Sequence, residues 1–232
     1  QFFGFDGRVD AIMEDVILRL RDAGATVVDP VELAHHGHFD EAEWTVLLHE
    51  FRHDLNAYLA GRTGVPVRSL ADVIRFNEEH AAEELRWFGQ EILILSEATG
   101  GLSAPEYVEA LELAKRYAGE EGIDATMSAH RLDAIMAPTG GPAWVTDLVN
   151  GDHFGGGSSS HAAVAGYPNI TVPAGEVEGL PVGVSMFGAA RTETGIIARS
   201  RTPSVGAPRC VNRRCIPPAT PASAGAARAL PP

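Results

Sequence analysis

The chain has 232 residues, a hydrophobic content of 45% and a formal net charge of −13, which suits one large or two small globular α/β domains. Residues 1–198 contain 12 basic against 31 acidic residues, a net charge of −19. A body this acidic repels phosphate backbones, so nucleic acid is excluded as an expected partner. No run approaches 18 consecutive apolar residues, so no membrane contact is predicted.

The positions of the cysteines and the composition of the first ten residues are relevant to the cellular compartment. Both cysteines, Cys210 and Cys215, lie near the C-terminal end, so no disulfide framework is predicted for the body. The first ten residues lack a basic region followed by an apolar run, which argues against a signal peptide and favours a cytoplasmic location. A start at Gln1 in mid-pattern suggests a piece of a longer chain.

The first half of the sequence predicts helices and one strand. Apolar residues at helical spacing indicate a helix over 6–23, and residues 25–30 (ATVVDP) indicate a short strand. A second helix is predicted over 40–59, and Ser69 is expected to cap a short third helix. A longer helix is then expected to direct Leu85, Phe88, Ile92 and Leu95 inward.

The second half adds the remaining strands. A helix is expected from Ser103 to about Glu121, then a short helix and a strand ending at Pro138. Residues 158–166 indicate a helix of small residues, and two strands rich in β-branched residues follow. Four strands at most among about seven helices are too few for a self-contained doubly wound domain.

The tail, residues 199–232, differs abruptly from the body, residues 1–198. It contains six arginines, no acidic residue and seven of the 15 prolines. This composition cannot bury enough apolar surface to offset ordering entropy, so disorder is expected. A reading-frame change after residue 198 and a genuine Pro/Ala/Arg linker both account for the switch.

Several segments of the body resemble, in the correct order, the C-terminal part of amidase signature enzymes. These are LRDAGATVVDP (20–30), EFRHDLNAYLA (50–60), LADVIRFNEEHAAEELRWFGQE (70–91), LDAIMAPT (132–139) and AGYPNITVPAGEVEGLPVGVSMFG (165–188). The resemblance implies a partial α/β fold, a mixed sheet flanked by helices, and hydrolysis of small-molecule or peptide carboxamides. The segments PAWVTDLVNGDHFGGGSSS (142–160) and AAVAGYP (162–168) look most like bacterial peptide-amide-hydrolysing members.

The same resemblance implies that this chain lacks the catalytic residues. The family uses a nucleophilic serine, a second serine in a cis peptide bond, and a lysine that acts as base. The one lysine, Lys115, lies in a predicted amphipathic helix and is followed by Arg116, unlike the family lysine at a strand end. We therefore expect no catalytic residue and no cofactor here, no activity of the chain alone, and a need for the missing N-terminal half.

The Gly155–Ser160 segment (GGGSSS) superficially matches the family's nucleophile loop. No Gly-Gly-Ser follows its serines, so the segment resembles the family's later Gly/Ser turn that begins a helix. Its serines are expected to cap that helix, with a pocket-lining role as the alternative.

We expect the loop over 139–160 to form one wall of the acyl pocket. It offers apolar surface and polar groups beside a glycine-rich backbone. The predicted substrate-binding residues are Trp144, Asp147, Asp152, His153, Phe154, Gly156 and Ser158.

Two alternatives remain open. His49-Glu50-Phe51-Arg52-His53 matches H-E-x-x-H on a predicted helix, as a zinc hydrolase requires. Arg52 between the histidines and the lack of an evident third ligand argue against a metal site, and none is assigned. The second alternative is a non-catalytic interaction module derived from an amidase.

Overall fold

A computed structural model describes residues 1–200 as nine α-helices, one π-helical segment and three strands. The helices are α1 (Gly7–Asp22), α2 (Asp40–Ala60), α3 (Leu70–Glu79), α4 (Ala81–Glu84), α5 (Glu91–Glu97), α6 (Pro105–Lys115), α7 (Ala125–His130), α8 (Ser160–Ala165) and α9 (Glu193–Ser200), with the π segment at Arg116–Asp124. The strands are β1 (Ile135–Pro138), β2 (Asn169–Val177) and β3 (Leu180–Phe187). Apart from its first two residues, which end α9, the predicted tail lies outside the described residues, as do both cysteines.

The strands form one antiparallel sheet in the order β1-β3-β2. A two-residue turn at Glu178 and Gly179, with φ of 53° and 79°, joins β2 to β3. Positive φ at both positions matches the right-handed twist of the flanking strands. With helices on either side of this sheet, the predicted α/β fold class is confirmed.

The two faces of the sheet bury different side chains because β-strand residues alternate in direction. On one face, Val184 packs with Met13 and Val16 of α1 in a common core. On the opposite face, Phe187 packs with Ile123 of the π segment and Ala162 of α8. Both sides of the sheet are therefore covered along β1 and along residues 182–187 of β3.

The strand predicted at residues 25–30 does not form. These residues form no helix and pair with no strand within residues 1–200. A strand needs a neighbour for its backbone N–H and C=O groups, and residues 25–31 instead line a cavity together with residues 135–137 of β1. The prediction is wrong for the described residues because no strand among them pairs with this segment.

Helices α1 and α3 begin close to the residues that the sequence predicted. Asp6 accepts a hydrogen bond from the Arg8 N–H at the start of α1, and Ser69 accepts one from the Asp72 N–H at the start of α3. Both are N-cap bonds that satisfy free N–H groups. The described helices contain no segment long and apolar enough to cross a bilayer.

The prediction of a long helix after α3 is wrong. The chain forms two short helices there, α4 and α5, separated by residues 85–90. Phe88 is 68% exposed, and Ile92 and Leu95 are also exposed, so the predicted inward face has no protein covering it within residues 1–200. The next helix also begins later than predicted, with Ala104 instead of Ser103 at its N-cap.

Candidate functional site

The loop between β1 and α8, residues 139–159, is closed at its base by glycines. Gly140 and Gly157 form an antiparallel bridge. A Cβ added to Gly141 would lie 3.1 Å from the Gly155 carbonyl oxygen, which is tighter than ordinary contact. Glycine at these positions therefore allows two backbone segments to pack directly against each other.

Ser158 is buried and structural. Its Oγ donates a hydrogen bond to the Pro138 carbonyl oxygen at 2.8 Å, and the residue is 2% exposed. It therefore links the end of the loop to the end of β1. A hydroxyl that is inaccessible and donates its proton to a carbonyl is unsuited to attack a substrate. Ser158 does not cap α8, contrary to the expectation for the serines of this segment.

Gly156 contacts the N-terminal segment. Its φ is +83°, and a Cβ there would lie 2.6 Å from the Phe5 ring. Glycine is favoured both by the left-handed backbone and by this contact. The residue is buried, so its role in the structure is to support the loop against residues 1–6.

Three of the predicted pocket residues meet in the outer part of the loop. The Trp144 and Phe154 rings pack edge to face with centroids 6.2 Å apart, and Trp144 Nε1 donates to Asp152 Oδ1 at 3.4 Å. All three side chains remain accessible to solvent. They form a small amphipathic arm that offers apolar surface next to a carboxylate.

Asp147 and His153 are separate from this arm's contacts. Asp147 accepts hydrogen bonds from the backbone N–H groups of Val149 and Asn150 and from the Asn150 side chain. The Asn150 N–H first, then the Asn150 amide and the Val149 N–H, lower the pKa of this carboxyl. The Asp147 carboxylate therefore stabilises a turn by accepting these hydrogen bonds. His153 is exposed, with no hydrogen bond to residues 1–200.

The outer loop carries exposed apolar side chains. Val149 is 90% exposed, Val145 83% and Phe154 70%. Apolar side chains this accessible and this close together are typical of a binding surface. The loop geometry thus leaves an apolar surface free to meet another molecule.

A cluster of three hydroxyls at the base of the loop was missed by the sequence reasoning. Ser185 Oγ lies 2.9 Å from Thr139 Oγ1 and 3.1 Å from Thr171 Oγ1. Gly183 lies beside the cluster, because a Cβ there would be 2.6 Å from Thr171 Cγ2. The register places Ser185 opposite Thr171 and Ala137. Only strand pairing brings these residues together, although alternation within each strand would have marked them as one face.

The H-E-x-x-H residues are held by other contacts. His49 is buried, with its Nδ1 2.9 Å from the Gly101 carbonyl oxygen, and Glu50 accepts a hydrogen bond from the Tyr107 hydroxyl at 2.9 Å. His53 is exposed beside Asp54. Among residues 1–200 no group of three metal-ligating side chains occurs. The zinc hypothesis is therefore not supported.

Two further histidines lie close together, one buried and one exposed. His161 is fully buried at the start of α8 and stacks on His36 with centroids 5.3 Å apart. Burial first, and then the neighbouring His36, lower the pKa of His161 to about 4. A side chain with no accessible surface is not available for contact with a substrate.

Lys115 is exposed at the end of α6. It forms no ion pair or hydrogen bond with residues 1–200. It lies on a helix with its neighbour Arg116, as predicted, and its amine has no serine partner.

Comparison with known proteins agrees with the fold. Residues 1–197 match the family model described as Amidase. A protein of Arabidopsis thaliana named as a probable amidase is 35% identical over 193 residues, covering 81% of this chain and 34% of the relative.

Two solved structures are also similar. The peptide amidase from Stenotrophomonas maltophilia is 46% identical, with a TM-score of 0.77, covering 84% of this chain and 39% of that one. A peptide amidase in complex with the competitive inhibitor chymostatin is 47% identical, with a TM-score of 0.80 and coverage of 84% and 40%. The chain thus spans about a third to two fifths of the length of its relatives, and it belongs to the amidase family.

Proposed function

We propose that this chain forms part of an amide hydrolase, supplying sheet, covering helices and one wall of the pocket that binds the acyl group. The observation that carries the proposal is the family match over residues 1–197, together with the lack of an assembled serine, serine and lysine set among residues 1–200. Its catalytic serines and lysine belong to the portion of the amidase that is not in this chain. The chain alone is therefore inactive.

The geometry of the serines and the lysine supports this division. Ser158 donates its hydroxyl proton to a carbonyl and is buried, whereas Lys115 is exposed at a helix end. The serine, serine and lysine mechanism requires all three groups in contact with each other. Neither residue satisfies that requirement.

The loop and the hydroxyl cluster support the role as a pocket wall. Thr139 belongs to both, since it directly follows β1 and begins the loop. The loop therefore has the hydroxyl cluster at its start and the Trp144–Phe154 arm farther along the chain. Pockets that bind small molecules combine these two kinds of surface.

Peptide amides are the proposed substrate class. The two peptide amidase structures are 46% and 47% identical to this chain, well above the level at which only the fold is shared. One of them binds chymostatin as a competitive inhibitor. A wall with an exposed aromatic arm suits an amidated peptide with an apolar side chain next to the amide.

Co-expression provides the test. The full chain is produced with the part of the S. maltophilia peptide amidase that lies outside the region of similarity, and ammonia release from an amidated dipeptide is measured. We expect release from the complex and none from either part alone. Release by the chain alone would overturn the proposal.

Two variants test whether Trp144 contacts the substrate and whether Lys115 takes part in catalysis. Trp144→Ala is expected to raise KM about 10-fold for a peptide amide with an aromatic side chain, because apolar contact is lost. Lys115→Ala serves as the control and is expected to leave kcat and KM unchanged. Loss of ammonia release in Lys115→Ala would place the catalytic lysine in this chain.

The non-catalytic interaction module is the second candidate. The apolar exposure of the outer loop would suit it equally well. In that case the co-expressed parts form a complex that releases no ammonia from any peptide amide.

A further inference from the structure

A turn rich in histidine, residues 34–38, lies between two buried residues, Leu33 and Phe39. We call it the histidine turn. Within it, the His38 N–H donates a hydrogen bond to the His35 carbonyl at 2.9 Å. Its side chains contact α8 on one side and the π segment on the other. The turn is therefore fixed at both ends, and its own contacts decide whether its middle stays in place.

His36 covers a buried histidine of α8. Its ring stacks on His161 with centroids 5.3 Å apart, and Phe2 and Phe39 pack edge-on against the His161 ring. His161 has no accessible surface, and neither of its ring nitrogens has a hydrogen-bond partner within residues 1–200. His36 itself is exposed. The His36 ring is thus part of the cover that separates His161 from water.

The groups that face His161 set the direction of its response to pH. Burial first, and then His36, lower its pKa to about 4, whereas the Ala34 carbonyl and the Asp40 carboxylate at the start of α2 act more weakly in the opposite direction. The π segment presents Gly122 to the ring, and this residue carries no charge. A proton on His161 is therefore unfavourable while the turn is closed and favourable below about pH 6.5 once the ring is solvated.

His35 connects the same turn to the π segment. Its ring stacks on Tyr117 with centroids 4.0 Å apart, and its Nε2 lies 2.9 Å from Glu121 Oε2. Arg116 also contacts Glu121, at 3.5 Å, and the His38 ring lies 6.0 Å from that of His35. A proton on His35 would convert its contact with Glu121 into an ion pair. Acid therefore acts in opposite directions on the two sides of the turn.

The backbone of the turn depends on these side-chain contacts. His35 has a φ of 60° and Gly37 a φ of 78°. A left-handed backbone is uncommon for a residue other than glycine and persists when surrounding contacts hold it. The segment that receives His35 is π-helical, a form found frequently at functional positions. Contacts of the histidine rings, more than backbone preference, thus keep the turn closed.

We propose that the histidine turn is an acid-sensitive latch, in which protonation of His161 displaces His36 and the turn opens about the contact between His35 and Glu121. The charged His161 ring requires water, which His36 excludes in the closed turn. Opening uncovers the start of α8, the helix that follows the loop over 139–159. The latch is independent of the proposed amide hydrolysis, so either can fail without the other.

Amide hydrogen exchange of the full chain at pH 7 and pH 5 tests the latch. The His38 N–H reports on the turn, and the Thr139 N–H, bonded to the Gly183 carbonyl at 2.9 Å, reports on the sheet. After correction for the intrinsic exchange rate, opening at His38 should increase about 20-fold from pH 7 to pH 5, because His161 has a pKa of about 4 in the closed turn and about 6.5 in water. Dilute urea should leave exchange at His38 unchanged and accelerate it at Thr139, because a local opening exposes little surface.

Three variants assign the roles of the histidines. His161→Phe keeps an aromatic ring and removes the titrating group, so opening at His38 should no longer depend on pH. His153→Gln removes an exposed histidine elsewhere and is the control that should retain the 20-fold change. His35→Gln removes the contact with Glu121 and should increase opening at pH 5 about 3-fold, as expected for a partly exposed ion pair.

Each readout has a result that contradicts the latch. Exchange at His38 that rises with urea as steeply as at Thr139 would show that the turn opens only in global unfolding, and this would overturn the proposal. An unchanged pH response in His161→Phe would also overturn it. Equal opening of His35→Gln and the unmodified chain at pH 5 would refute the pivot at His35. The urea comparison uses the unmodified chain alone, so it decides the question even if a variant does not fold.

Discussion

Protonation of His161 is expected to make the stability of this chain depend on pH. The side chain is fully buried, neither ring nitrogen has a hydrogen-bond partner within residues 1–200, and its pKa is lowered to about 4 by burial and by His36. In the unfolded chain a histidine has a pKa of about 6.5. The unfolded state therefore takes up the proton first as pH falls, and stability present above pH 6.5 is lost between pH 6.5 and 4.

The magnitude follows from the two pKa values. Between pH 8 and pH 5 the linkage predicts a loss of about 2 kcal/mol of unfolding free energy, and at most about 3 kcal/mol below pH 4. A loss of about 2 kcal/mol changes the ratio of folded to unfolded chain about 30-fold. Because folded domains are stabilised by only about 5–15 kcal/mol in total, this change should be visible.

Urea unfolding at pH 8 and pH 5 measures the effect. His161→Phe retains an aromatic ring next to Phe2, His36 and Phe39 but cannot titrate. The larger phenylalanine ring changes the unfolding free energy by the same amount at both pH values. This constant change cancels, because the measured quantity is the difference in unfolding free energy between pH 8 and pH 5 for each variant. The unmodified chain should lose about 2 kcal/mol more than His161→Phe.

The control is His153→Gln, which removes an exposed histidine and should retain the full pH dependence. An equal loss of stability in His161→Phe and in the unmodified chain would refute the reasoning. In NMR, the His161 ring should titrate near pH 4 in the folded chain. A value near 6.5 would show that the ring is solvated.

Three further substitutions test the contacts described above. His49→Ala should lower the unfolding free energy, measured in urea, by about 1–3 kcal/mol, because His49 is buried and hydrogen-bonded to the Gly101 carbonyl. His53→Ala should change it by almost nothing. Equal losses of stability in the two variants, together with stoichiometric zinc in the protein, would support a metal site. Gly183→Ala should cost about 1–3 kcal/mol because its Cβ meets Thr171 Cγ2. Adding Thr171→Ser should recover part of that cost, and no recovery would exclude this contact as the cause. Ser158→Ala should cost about 1–3 kcal/mol by leaving the Pro138 carbonyl unpaired, and a serine-directed fluorophosphonate should not label the unmodified chain; labelling at Ser158 would contradict its structural role.

Secondary structure was predictable where a local signal decides it. Asp6 and Ser69 cap their helices as their types and positions indicated. The two strands after Gly166 formed because β-branched residues and a Glu178-Gly179 turn agree with each other. The π segment had no local signal; there Gly122 lies against the His161 ring, a contact between distant residues.

The candidate site was predictable only in part. The loop over 139–160 stays a predicted pocket wall, and burial separates its members into supports and exposed groups. Gly156 and Ser158 support the base, whereas Trp144, Asp152 and Phe154 form the exposed arm. The Thr139, Thr171 and Ser185 hydroxyls were missed because their proximity depends on strand register.

The amino-acid sequence by itself determined the amidase family, the acidic character and the order of most helices and strands. These depend on residue types and on spacing within one segment. The tertiary structure alone decided that residues 25–30 pair with no strand within residues 1–200, that His49 is a buried support, and that the hydroxyls of Thr139, Thr171 and Ser185 meet. Each of these depends on which distant backbone or side chain comes within hydrogen-bonding or packing distance, because a backbone N–H or a buried ring is stabilised only by a partner that is present.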